Sequence, residues 1–113
     1  MPSDPKVPND IVAFVQDCVR RRRVYWTYHV NMRLVRRFIS RQAILEAVDT
    51  YELVESYPDD KYLPSCLVFA QHATDCFHVL FGIDVEGDNV RVVTSYRPDP
   101  SEWENFRKRR SIP

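Results

Sequence analysis

The chain is 113 residues long, 44% apolar and formally neutral, with 16 Lys/Arg against 16 Asp/Glu. That length suits one hydrophobic core rather than two, and the lack of any run of about 18 apolar residues excludes a membrane-spanning helix. Residues 1–5 lack the basic-then-apolar pattern of a secretory leader, so a cytoplasmic protein with a single domain over residues 1–113 is expected. Charge is unevenly placed: residues 1–50 hold nine Lys/Arg against five Asp/Glu, residues 51–100 three against nine, and residues 101–113 four against two. Such a polarised chain can draw nucleic acid to one side and a basic partner to the other. Cys18, Cys66 and Cys76 are too widely spaced for a zinc knuckle or a redox pair and read as reduced thiols.

In chain order, Pro8-Asn9-Asp10 opens an amphipathic helix over about 10–22, with Ile11, Phe14, Val15, Cys18 and Val19 at helical spacing. Arg20 to Arg23 complement the dipole at its end. Residues 24–28 are β-branched and aromatic and read as a short extended piece or a packed linker, beginning a core of about 24–110. From His29 the pattern is helical again, with Val30, Leu34, Val35 and Phe38 on one stripe and Arg33, Arg36, Arg37 and Arg41 largely around it. Ser40 is an N-cap for a further helix carrying Ile44, Leu45, Ala47 and Val48, so the preceding helix should end sharply at Ile39-Ser40.

After Thr50 the composition turns to strand formers. Residues 51–57, 65–71, 76–85 and 90–96 predict four strands, with Glu86-Gly87-Asp88-Asn89 the clearest hairpin turn. Pro98-Asp99-Pro100 breaks the sheet, and Ser101 with Glu104 has capping-box spacing for a terminal helix holding Trp103 and Phe106. The sum is an α+β domain: N-terminal helices packed on a four-stranded antiparallel sheet, with a C-terminal helix.

Several polar and aromatic residues fall at element edges. His29 and Arg33 stand at i and i+4 on one helix face. Alternation places His78 with Leu80, opposite Phe77, Val79 and Phe81, where a lone histidine fits either a satisfied core residue or a catalyst. Tyr96, before Arg97-Pro98, either reaches a groove with its hydroxyl or packs on Trp103. Tyr57 precedes Pro58-Asp59-Asp60, whose aspartates read as turn formers. Two histidines could also hold a metal, but no third ligand lies at a short spacing, so no metal or cofactor is expected.

His29-x3-Arg33, the Ile39-Ser40 helix start, Tyr57-Pro-Asp-Asp60, Pro64-Ser-Cys-Leu67, Phe77-His78-Val79 and Tyr96-x-Pro98-Asp-Pro-x-x-Trp103 together resemble a bacterial domain-of-unknown-function family of small cytosolic proteins. Members are often encoded beside an antitoxin-like protein with a zinc finger. The likeness runs from about Trp26 to Arg110. It implies a relation to the RelE/MqsR-like messenger-RNA interferases, which set a helical layer on an antiparallel sheet and cleave RNA without metal. Carried onto this sequence, the resemblance implies a catalytic set of His29, Arg33, His78 and Tyr96, with Tyr57 and Arg97 as lesser candidates. The sheet half is less basic than in the strongest toxins of that group, so Arg33, Arg36, Arg37 and the terminal Arg107 to Arg110 are needed as phosphate contacts.

The function expected on these grounds is a metal-independent endoribonuclease toxin of a toxin–antitoxin system. Its partners are RNA and a cognate antitoxin. His78 would act as base and His29 as acid, or the reverse; Arg33 would grip the scissile phosphate, and Tyr96 would orient the 2′-hydroxyl or stack on a base. His78→Ala should then abolish cleavage and leave the fold intact. The alternative is a non-catalytic protein-binding or regulatory module of the same fold.

Overall fold

A computed structural model describes residues 7–110. Its three α-helices are α1 (Ile11–Arg20), α2 (Tyr28–Arg37) and α3 (Arg41–Glu46), the last followed by a 3₁₀ turn over Ala47–Thr50. Each helix starts where a short polar side chain takes an otherwise unpaired backbone N–H. The Asp10 carboxylate accepts from Ala13 at 3.0 Å, the Thr27 hydroxyl from Val30 at 3.1 Å and the Ser40 hydroxyl from Ala43 at 2.9 Å. The α2 end is sharp, as expected. Phe38 takes a left-handed φ of 56°, and the Ile39 N–H returns to the Leu34 carbonyl at 3.0 Å.

The strands are β1 (Val24–Trp26), β2 (Glu52–Tyr57), β3 (Ser65–His72), β4 (Asp75–Asp84) and β5 (Asn89–Tyr96), in the order β1-β5-β4-β3-β2. The expected four-stranded antiparallel sheet is therefore corrected to a five-stranded mixed one. The short extended piece after α1 is a strand, and it runs parallel to β5 with Val24 opposite Val90 and Trp26 opposite Val92. The Arg23 carbonyl begins this pairing by accepting the Val90 N–H at 3.0 Å. The β4–β5 turn is tightened by the Asp84 carboxylate, which accepts the Gly87 N–H at 2.9 Å; a Cβ on Gly87 would collide with the same carboxylate.

One sheet face carries Cys66, Val68, Ala70, Phe77, Val79, Phe81, Ile83, Val90 and Val92 into a core with Val15, Cys18 and Val19 of α1, Val30 and Leu34 of α2 and Ile44 of α3. The expected α2 stripe is only half used. Val30 and Leu34 are buried, whereas Val35 is 71% and Phe38 87% exposed. Val35 lies too far around the helix from Leu34, and the left-handed turn at Phe38 throws its ring outward.

The expected C-terminal helix is replaced by a hairpin of β6 (Trp103–Glu104) and β7 (Lys108–Arg109). Asp99 overrides the capping box. Its carboxylate accepts the Ser101 N–H at 2.9 Å, and its carbonyl accepts the N–H groups of Glu102 at 2.9 Å and Trp103 at 3.0 Å. Asn105 and Phe106 then both adopt left-handed φ, 51° and 59°, which reverses the chain in a tight turn closed by the Arg107 N–H on the Glu104 carbonyl at 3.1 Å. This hairpin lies over the sheet face opposite the helices. Among the described residues no helix is long and apolar enough to cross a membrane.

Candidate functional site

Cross-strand register assembles the candidate site on the face away from the helices. Glu52 faces Phe69, Glu55 faces Leu67 and Tyr57 faces Ser65, a set kept in phase by an irregularity between Leu53 and Glu55. Phe69 in turn faces His78, and His78 faces Tyr96. The hairpin closes over one end of this row: the Arg107 guanidinium sits 4.1 Å from the centre of the Phe69 ring and pairs with Glu52 at 2.8 Å. The Arg109 guanidinium sits 4.6 Å from the Trp103 ring, and its Nε is 3.0 Å from a Glu55 oxygen.

Glu55, Tyr57 and Arg109 form one cluster. The Tyr57 hydroxyl donates to the Glu55 carboxylate, and Arg109 donates to both oxygens of the same group. Partial burial raises the Glu55 carboxyl, but the bonds from Arg109 and Tyr57 outweigh it and leave it below its ordinary range. Burial, helped by the adjacent carboxylate, raises the Tyr57 phenol, so this hydroxyl stays protonated. The same contacts hold the Arg109 charge firmly. A carboxylate acceptor, a phenol donor and a fixed cation thus meet at one point. Beside them is an open depression of about 640 Å³ lined by Ser56, Tyr57, Pro58, Asp59, Asp60 and Leu80.

His78 lies behind this cluster. It is fully buried, with its ring edge-on to Trp103 at 4.6 Å and to Tyr96 at 5.4 Å. Its Nε2 donates to the Phe106 carbonyl, which leaves Nδ1 to accept from the Tyr96 hydroxyl at 3.3 Å. Tyr96 is therefore the half-exposed member of that pair, and Trp103 packs on His78 between hairpin and sheet. Desolvation is the largest influence on His78 and lowers its pKa below the ordinary 6.5; Arg109 adds to this, while the Phe106 carbonyl and Glu55 oppose it.

The sign of the linkage follows. Below about pH 6.5 the unfolded chain takes up a proton on this ring that the folded chain resists, so stability is full above that pH and falls as the pH drops toward the folded pKa. Urea midpoints measured between pH 7.5 and 5 should decline in the wild type and flatten in His78→Gln. Equal slopes in the two proteins would remove His78 as the cause.

The remaining candidates are dispersed. His29, Arg33 and Arg36 are exposed on α2, and no hydrogen bond or ion pair joins them to the His78 cluster among the described residues. The spacing of four sets His29, Arg33 and Arg37 on one stripe. Arg37 reaches from it to the Thr94 hydroxyl at 3.2 Å and the Ser95 carbonyl at 2.7 Å, so the stripe borders the open sheet face along β5. Arg97 is engaged structurally, pairing with Asp75 at 2.8 Å and closing the α2 end through the Arg37 and Phe38 carbonyls. Asp60 is likewise structural, accepting from Ser65 at 2.7 Å. At the far end of the core, Arg20 pairs with Asp49 at 2.6 Å, and Arg21 joins Asp17 at 2.9 Å to Asp88 at 2.7 Å. Among the described residues no group of three His, Cys, Asp or Glu is placed to hold a metal ion.

Glu55 is the residue that sequence reasoning missed. Its signal was the two-residue spacing to Tyr57, which puts both on one strand face. Arg109, expected as one of the phosphate contacts of Arg107 to Arg110, instead alternates with Arg107 along the hairpin and pairs with Glu55.

A family model described as a domain of unknown function, DUF4258, matches residues 26–101. No curated protein and no solved structure matches the chain. The matched segment holds Glu55, Tyr57, His78 and Tyr96, and ends before the hairpin that supplies Trp103, Arg107 and Arg109.

Proposed function

We propose that this chain, which belongs to the DUF4258 family, is a metal-independent endoribonuclease toxin related to the RelE/MqsR-like messenger-RNA interferases and held in check by a cognate antitoxin. The observation that carries this reading is the convergence of Glu55, Tyr57 and Arg109 beside an open depression. RNA cleavage through the 2′-hydroxyl needs a proton acceptor, a proton donor for the 5′-oxygen that leaves, and positive charge on the crowded phosphorus. Glu55 takes the 2′-hydroxyl proton, Tyr57 protonates the leaving oxygen, and Arg109 holds the non-bridging oxygens. The bond formed is 2′-oxygen to phosphorus, the bond broken is phosphorus to 5′-oxygen, and a 2′,3′-cyclic phosphate results.

Neither histidine is the base or the acid in this arrangement. His78 acts through Tyr96, holding its hydroxyl in place beside the cluster by the Nδ1 bond, because its own ring has no exposed edge. His29 and Arg33, with Arg36 and Arg37, guide the RNA backbone along the β5 border. Asp59 and Asp60 make one wall of the depression acidic, which directs the phosphates toward the arginines.

The binding-module alternative has one specific observation in its favour: both His78 ring nitrogens are satisfied within the fold. The two readings separate in one assay. The purified chain is incubated with end-labelled single-stranded RNA, and with translating ribosomes, in EDTA. Cyclic-phosphate ends, lost in Glu55→Gln and Tyr57→Phe, are expected. Intact RNA in both settings, with the wild type shown to be folded, sinks the ribonuclease reading.

A further inference from the structure

The outer face of α2 has no covering element. Tyr28, Met32 and Val35 stand at i, i+4 and i+7, with Phe38 just beyond, and their exposures are 78%, 44%, 71% and 87%. An exposed apolar ridge of this kind, on the side of the helix away from buried Val30 and Leu34, marks an interaction surface. Its flanks are cationic. Arg33 and Arg36 follow one side, and Arg41 stands on the other, hydrogen-bonded to Asn31 at 2.7 Å with its guanidinium 5.0 Å from the Trp26 ring. Among the described residues none of these three has a carboxylate partner, a state shared with Arg22, Arg23, Arg37, Arg91 and Arg110, and the Arg33 and Arg36 guanidinium groups make no hydrogen bond at all.

We propose that this ridge docks an acidic amphipathic helix of a partner polypeptide, whose apolar side chains cover Tyr28, Met32, Val35 and Phe38 while its carboxylates pair with Arg33, Arg36 and Arg41. Apolar anchors at helical spacing supply the contact, and the unpaired arginines select the sign of the partner's charge. A second copy of this chain fits less well, since a two-fold contact through α2 sets the three arginines against their own counterparts. RNA also fits less well, because Met32 and Val35, at the middle of the ridge, offer no aromatic face on which a base stacks. The surface is separate from the Glu55 cluster and does not rest on the ribonuclease reading, although Arg33 and Arg36 also border the RNA path proposed above, so a docked acidic helix and RNA compete for them.

The test is selection of a displayed library of random helical peptides, about four turns long, on the full chain. Enriched peptides should carry Asp or Glu beside Leu, Ile or Phe at helical spacing and bind more weakly as salt rises. Met32→Glu and Val35→Glu, both changes at exposed positions, should each weaken binding about tenfold or more, while the melting temperature stays close to that of the wild type. Arg33→Gln with Arg36→Gln should flatten the salt dependence. Three results overturn the proposal: enrichment without acidic residues or none at all, peptide binding that survives Val35→Glu, or a wild-type chain whose sedimentation shows self-association abolished by that change. Labelled RNA that loses affinity to Val35→Glu, with no peptide selected, assigns the ridge to nucleic acid instead. Loss of RNA cleavage with peptide binding intact bears only on the ribonuclease reading.

Discussion

His78→Ala is expected to lower the free energy of unfolding by about 2–4 kcal/mol, a range drawn from buried large-to-small changes and lost buried hydrogen bonds. The ring is fully buried between Tyr96 and Trp103, so its removal leaves a void that backbone pairing on both sides of β4 prevents from closing. The Phe106 carbonyl also loses its donor, and the turn at Asn105 and Phe106, already in left-handed backbone, loses an anchor. Urea unfolding followed by tryptophan fluorescence reads both effects, since release of the hairpin exposes Trp103. A fall of less than about 0.5 kcal/mol would show that the ring is not part of what holds the hairpin down. A catalytic role for His78 implies a substitution that spares the fold; the hairpin packed over the ring is what makes it costly. Loss of activity in His78→Ala therefore cannot by itself identify a catalytic group.

Arg109→Ala is expected to reduce RNA cleavage by about 10²- to 10³-fold, the usual loss when a donor aimed at developing negative charge is removed. Arg109→Lys should fall between, because an ammonium keeps the charge but lacks the planar fork of donors, of which Nε alone is shared between the two Glu55 oxygens and the terminal nitrogens have no bond to that carboxylate. Folding separates cleanly from activity here. The Arg109 side chain is 59% exposed, and its pair with Glu55 is partly solvated, so the stability cost should stay within about 1 kcal/mol. Initial rates on end-labelled RNA, set beside urea midpoints, make the comparison. Undiminished cleavage in Arg109→Ala would remove the hairpin from the chemistry.

Local signals carried much of the architecture. Asp10 and Ser40 act as the helix caps their positions suggested, and the strands β2 to β5 lie within a residue or two of the predicted spans. What local signals could not carry was pairing over distance. Residues 24–26 look extended, yet nothing in them specifies a parallel partner more than sixty residues later. The Ser101-x-x-Glu104 spacing is a sound helix signal that lost to Asp99 and to burial of Trp103 against His78, a contact that exists only once the sheet is formed. The site divides the same way. Tyr57, His78 and Tyr96 do meet on one face, while His29 and Arg33 remain on the bordering helix, and the carboxylate completing the cluster became visible only through strand register.

The placement of β1 also bears on how this chain avoids polymerising. An open sheet edge is a template for another strand, and the flank of β5 would be one, with its apolar run still unsheltered. Three residues of β1 occupy the start of that edge, and α2 continues alongside β5 through Arg37. The opposite edge belongs to β2, whose register slips between Leu53 and Glu55 and which carries Glu52 and Glu55, so an incoming strand meets a bend and two charges. The sheet is thereby terminated on one side by chain topology and on the other by irregularity and charge, which disfavours fibrous association without any loss of the central hydrogen-bonded strands.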